Sequence, residues 1–203
     1  MRQLLLLAVL TTLTACATVP DNAYYPDPSA PETRVLAQAL YRAARAASED
    51  PKRYSFAMLR TAEVRAYTAD EATFYFTQGL ALEPPTVIDA LVAHEIAHAL
   101  LDHVGRRRPL AASVSGGLSV LDFFASSLVV RAYTRDQEME ADQRAIEVLR
   151  DMGYTTPRRA LAQALREAAT RNDAADGRPS TADADLRDRL AALEPLEPVS
   201  RTR

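Results

Sequence analysis

The sequence predicts an α+β domain that is mainly α, and three observations carry that expectation. Apolar residues recur at helical spacing over six separate stretches. The β part is confined to short segments between residues 63 and 80, placed by motifs taken up below. There is no internal repeat, and the chain remaining after a 15-residue leader is long enough to bury one core.

Taken in order, Met1-Arg2 and the apolar run Leu4 to Leu10 read as a secretory signal, too brief to span a bilayer. Leu13-Thr14-Ala15-Cys16 then resembles the bacterial lipobox, whose cysteine is lipidated and becomes the first residue. Cys16 is the only cysteine, so no internal disulfide can form. The expected organisation is a signal at 1–15, a lipidated tether at 16–31, a single folded domain at 32–195 and a tail at 196–203. Acyl chains on Cys16 would anchor the protein to a membrane, each buried methylene contributing ~0.8 kcal/mol. Ala17 after the cysteine points, by resemblance to enteric lipoproteins, to the periplasmic face of the outer membrane. Asp21 to Pro31 is proline-rich and reads as tether. The balance of 24 basic against 27 acidic residues gives no electrostatic case for nucleic acid.

A first helix is expected from about Glu32 to Ser48, with Val35, Leu36, Ala39 and Leu40 on one stripe. A second runs from Thr86 to His103, started by Pro84-Pro85 and stopped by Gly105. Within it His94-Glu95-Ile96-Ala97-His98 forms HExxH. Positions i and i+4 share a helical face, so both imidazoles can reach one metal ion, and Glu95 stands beside the water that ion would activate. This is the spacing of a zinc hydrolase site with Glu95 as general base. Such a site needs a third protein ligand. Leu101 and Val104 stand where the HExxHxxGxxH pattern needs Gly and His, so the donor lies elsewhere. His103, five residues after His98, would point about 140° around a continuous helix and reads as a helix-end or rim histidine.

The donor is expected in Glu138-Met139-Glu140-Ala141-Asp142. Ile146 and Leu149 continue an apolar stripe that Gly153 ends, which makes this another helix. Glu138 and Asp142 share a face, with Ala141 and Ala145 small enough for close approach of two helices. One carboxylate can ligate, and the other can accept the free N–H of a ligating histidine. Arg106 to Arg108 reads as a solvated basic run, Leu118 to Val130 as a buried helix carrying Asp122, Pro157 to Thr170 as a helix, Asn172 to Ala184 as a polar loop, and Leu186 to Leu193 as a last short helix.

HEIAH followed by E-x-E-A-D resembles the zinc metallopeptidase family that includes the CAAX prenyl endopeptidases, the HtpX-like membrane proteases, and soluble periplasmic members such as BepA and the lipoproteins LoiP and YcaL. The likeness runs from about Ala37 to Tyr154. Glu63 to Tyr67 sits where that family places a strand, Thr73 to Leu80 matches its next strand with a glycine-leucine end, and Leu149 to Tyr154 its L-x-x-x-G-Y. The resemblance implies a gluzincin-like domain with a small sheet beside the HExxH helix, and one Zn2+ held by His94, His98 and Glu138 rather than Glu140. Asp142 would be the partner behind a ligating histidine.

It further implies peptide-bond hydrolysis with polypeptides as substrates, in quality control of envelope proteins. The alternative is a zinc-binding chaperone or assembly factor with little proteolysis. The strand Thr73 to Thr77 is expected to offer an edge to an extended peptide, as in relatives. Tyr133, His103 and Arg135 are candidates for oxyanion stabilisation by nearness in sequence. Two positions depart from the family: Arg65 replaces an asparagine, and Ser180-Thr181-Ala182-Asp183 replaces S-T-H-P ahead of Arg189-Leu190. The late histidine is thereby lost. BepA's helical repeat domain has no room here.

Overall fold

One helix, α3 (Pro85–Leu100), runs through the middle of the molecule, and its composition explains the placement: from Val87 to His98 every residue is buried, and only Asp89 and Glu95 among them are acidic. The structure, a computed structural model, describes residues 22–69, 72–106, 133–176 and 184–198. Around α3 lie α1 (Pro31–Ala46), a four-stranded sheet, α4 (Arg135–Asp151) and α5 (Pro157–Asp176), with short helices α2 (Gln78–Ala81) and α6 (Ala184–Ala192) at the margins. The fold is therefore mainly helical with a small mixed sheet. The signal, Cys16, Arg107-Arg108, the expected helix at Leu118 to Val130 and the tetrapeptide Ser180 to Asp183 lie outside the described residues.

The sheet has the order β1-β2-β4-β3, formed by β1 (Ala23–Tyr24), β2 (Ser55–Leu59), β3 (Ala66–Thr68) and β4 (Thr73–Thr77). β2 and β4 are parallel and the two outer pairings antiparallel. Phe74 and Phe76 of β4 are fully buried against Leu36, Met58, Ile88 and Ile96, so alternate residues of the strand form the floor of the core. Full burial of such side chains contributes about 1.5–3 kcal/mol each.

β4 occupies the predicted residues but lies between β2 and β3, so its backbone is paired on both sides and offers no edge. The edge is β3. That strand begins at Ala66, not Glu63, because Val64 donates its N–H to Oδ1 of Asn172 (2.7 Å) and Arg65 donates to the Thr77 hydroxyl (3.0 Å). Asn172 also donates to the Val64 carbonyl (3.3 Å), which is why α5 continues to Asp176 where a polar loop was expected. The expected tether contains β1, paired with Leu59 and Met58. α6 begins two residues before the expected Leu186.

One close approach fixes the rim beside β3. A Cβ added at Gly79 would stand 2.1 Å from the Ala62 carbonyl oxygen and 2.3 Å from that of Glu63. Only glycine lets α2 press against this backbone. Elsewhere, Asp89, buried on α3, accepts from the Tyr154 hydroxyl (2.8 Å) and pairs with Arg42, tying α1, α3 and the end of α4 together.

α3 ends at Leu100, five residues before the expected glycine stop. Asp102 takes the left-handed conformation (φ 50°), which a short polar side chain tolerates, and the chain turns before residues 103–106 resume a helical turn. At Gly153 (φ 98°) the expected stop of α4 does occur: Tyr154 donates back to the Leu149 carbonyl (3.0 Å), closing the last turn.

Candidate metal centre

α3 and α4 approach through alanines. Ala90, Ala93 and Ala97 on one helix and Ala141 and Ala145 on the other have no or almost no exposed surface, so small side chains let the two backbones come close. That contact brings Glu138 to the histidines. Nε2 of His94 lies 3.0 Å from Nε2 of His98 and 3.2 Å from Oε2 of Glu138, and Nε2 of His98 lies 3.8 Å from Oε1 of Glu138. One donor atom from each of the three falls within 4.8 Å of the others. Thr134 opens α4 with a capping box to Gln137, which sets Glu138 in the first turn.

One turn later, Oδ1 of Asp142 sits 3.0 Å from Nδ1 of His94, off the N–H axis, so the contact is an oblique charge pair and not a straight hydrogen bond. Arg189 of α6 locks both carboxylates: its Nε and Nη2 donate to Asp142 (2.8 and 2.7 Å), and its Nη1 lies 2.9 Å from Glu138. This bidentate fork holds Asp142 in one orientation. Glu95, on the adjacent face of α3, accepts at Oε2 from the Thr68 hydroxyl (2.7 Å), which also faces the Glu95 carbonyl (2.9 Å). Thr68 thus ties the edge strand β3 to the carboxylate.

Burial pushes the Glu95 carboxyl up to about 7, only partly offset by His94 and Thr68. For His94 burial acts downward, but Asp142 and Glu138 outweigh it and raise the imidazole to about 9. Burial would raise Glu138 and Asp142, yet His94 and Arg189 hold both below the ordinary carboxylate range. The donor set fits a divalent cation. Glu138 and Asp142, held ionised, share one guanidinium, so with His94 deprotonated for ligation a negative charge remains to be balanced, and two imidazoles with one carboxylate are ligands that suit zinc.

Without metal, His94 holds its proton up to about pH 9, and a ligand nitrogen must shed it. Zinc affinity is expected to rise about tenfold per pH unit from neutrality toward 9 and to level off above it. Competition against a chromophoric chelator checks this, and a flat profile would contradict it. The sign for metal-free stability is opposite. A raised imidazole stabilises the fold fully below its unfolded value near 6.5, and that contribution is lost as pH rises through about 9.

The remaining sequence candidates separate clearly. His103 is no rim residue: the turn at Asp102 carries it back under α3, where it is fully buried with Nδ1 2.8 Å from Nδ1 of His98. Glu140 is half exposed and meets Nε2 of His103 (3.1 Å), away from the donor cluster. Arg135 is exposed and paired with Asp188, so it does not reach the site. Tyr133 stacks on His98, ring centroids 3.5 Å apart, and lines a cleft with Tyr67, Thr68, His94, Glu95 and Arg189. Thr68 and Arg189 escaped the sequence reading as site residues. Arg189 stood only as half of an arginine-leucine pair, and no motif marks Thr68.

A family model described as peptidase family M48 matches residues 29–194. No curated protein matches the chain.

Proposed function

Because the chain belongs to peptidase family M48, we propose that it is a zinc-dependent endopeptidase in which His94, His98 and Glu138 hold the ion and Glu95 is the base. The observation that carries this reading is the meeting of two α3 imidazoles and an α4 carboxylate beside a second, buried carboxylate at the wall of a cleft. A zinc ion held there supplies Lewis acidity, polarising the scissile carbonyl and acidifying water toward neutrality.

The chain's own groups do the rest. Thr68 orients the Glu95 carboxylate through Oε2, and an affinity for protons near neutrality lets that carboxylate take one from the attacking water and return it. As oxygen bonds to the carbonyl carbon and the C–N bond breaks, the proton passes from Glu95 to the leaving amine. Asp142, clamped by Arg189, keeps His94 oriented toward the ion. The edge of β3, Ala66–Thr68, borders the same cleft, so an extended polypeptide can add to the sheet there and reach Glu95 with little dependence on its side chains. Of the three oxyanion candidates, Tyr133 alone lies at the cleft.

The lipobox ending at Cys16 supports a lipid anchor on a bacterial envelope membrane, as in the LoiP and YcaL type, with misassembled envelope proteins as substrates. Among the described residues no helix is long and apolar enough to cross a membrane. The test is metal removal: ortho-phenanthroline should abolish cleavage of an unfolded polypeptide such as casein, and stoichiometric zinc should restore it. Cleavage that survives complete zinc removal would refute the reading.

A further inference from the structure

His103 is buried to the last atom, yet neither of its ring nitrogens faces apolar side chains alone: Nδ1 lies 2.8 Å from Nδ1 of His98, and Nε2 lies 3.1 Å from Oε2 of Glu140. Glu140 is itself steadied by Arg106, whose Nη2 reaches it at 3.3 Å while donating to the Leu101 carbonyl (2.8 Å). His94 has Asp142 behind its Nδ1. Behind Nδ1 of His98 stands a histidine.

A neutral imidazole carries one proton, and where that proton sits decides which nitrogen can bind a metal. His98 faces the donor cluster with Nε2, so ligation requires its proton on Nδ1. That N–H has His103 Nδ1 as its acceptor, which must then be bare, and the His103 proton must lie on Nε2. An ionised carboxylate only accepts, so Glu140 favours that arrangement. The reverse arrangement, with a proton on His103 Nδ1, would place the His98 proton on Nε2 and remove the ligand.

We infer that His103 is a positioning residue which, with Glu140 behind it, holds His98 in the one tautomer able to ligate the ion. The inference rests on the reading of His94, His98 and Glu138 as ligands. It also gives Glu140, the middle acidic residue of E-x-E-A-D, a role two side chains removed from the ion.

The test uses the full chain, with zinc affinity measured by chelator competition and ring 15N shifts measured by NMR. Only three histidines contribute. In the wild type, the His103 resonances should report a bare Nδ1 and a protonated Nε2, and those of His98 a protonated Nδ1. His103→Leu should weaken zinc binding by roughly 10–100-fold. His103→Asn, whose amide oxygen can accept near the Nδ1 position, should recover most of that loss. Because His103 is buried and a substitution there could disturb folding, the second arm works from the exposed residue. Glu140→Lys removes the acceptor and should cost about tenfold or more, whereas Glu140→Gln, with a carbonyl that still accepts, should stay within a few-fold of wild type. A proton on His103 Nδ1, or wild-type affinity in both His103→Leu and Glu140→Lys, would overturn the inference while leaving the ligand assignment intact. A wild-type chain that bound no zinc would overturn the ligand assignment and this inference with it.

Discussion

Glu95→Gln is expected to lower the rate of peptide hydrolysis by about 10²–10⁴-fold while zinc stays at one per chain. Glutamine keeps the volume and can still meet the Thr68 hydroxyl, so the fold and the neighbouring histidines lose little. What it loses is the ability to take a proton. The carboxyl it replaces is raised to about 7 by burial, a value at which acceptance and return of a proton are nearly balanced at ordinary pH. Casein cleavage and zinc content, measured on the same preparations, check both halves. Undiminished cleavage would remove Glu95 from the mechanism, and lost zinc would move it into the ligand set.

The second large effect separates the two glutamates of α4. Glu138→Ala should lower zinc affinity by several orders of magnitude, since a catalytic zinc has three protein ligands and this takes one away. Glu140→Ala, at a half-exposed position whose contact is to His103, should cost only about tenfold. The same Glu138→Ala change also frees a charged bond of Arg189, but that residue keeps its two bonds to Asp142, so the local fold should hold. Isothermal titration with zinc distinguishes the variants. A larger loss at Glu140 would place the third ligand half a turn away from the observed cluster.

How much of this was legible in the sequence depends on the distance over which each feature is determined. The pairing of His94 with His98 is local, fixed by the rise of a helix, and it could be read directly. Glu138 lies on another helix, and its meeting with the histidines depends on a contact between alanine faces of α3 and α4, whose small residues were visible as Ala141 and Ala145. His103 was misread for a local reason. The helical projection held only if α3 continued, and the stop came from Asp102 in a left-handed conformation where no glycine marks it. β2 was missed because Ser55–Leu59 grows more buried along its length and lacks the alternation of a half-exposed strand. Arg189, carried on α6, reaches Asp142 across 47 residues with a long side chain, a link that no periodicity encodes.

The stability of the site against acid should follow the same groups. Glu138 and Asp142 are held below their ordinary range, so their contribution is present above about pH 4 and is lost as pH falls through their lowered values. The most direct measurement of the central claim is anomalous X-ray diffraction at the zinc edge from crystals of the full chain grown with zinc. One strong peak per chain is expected, bonded to Nε2 of His94, Nε2 of His98 and the carboxylate of Glu138. A peak bonded elsewhere, or a chain that saturates with zinc while these three side chains remain unbound, would contradict it.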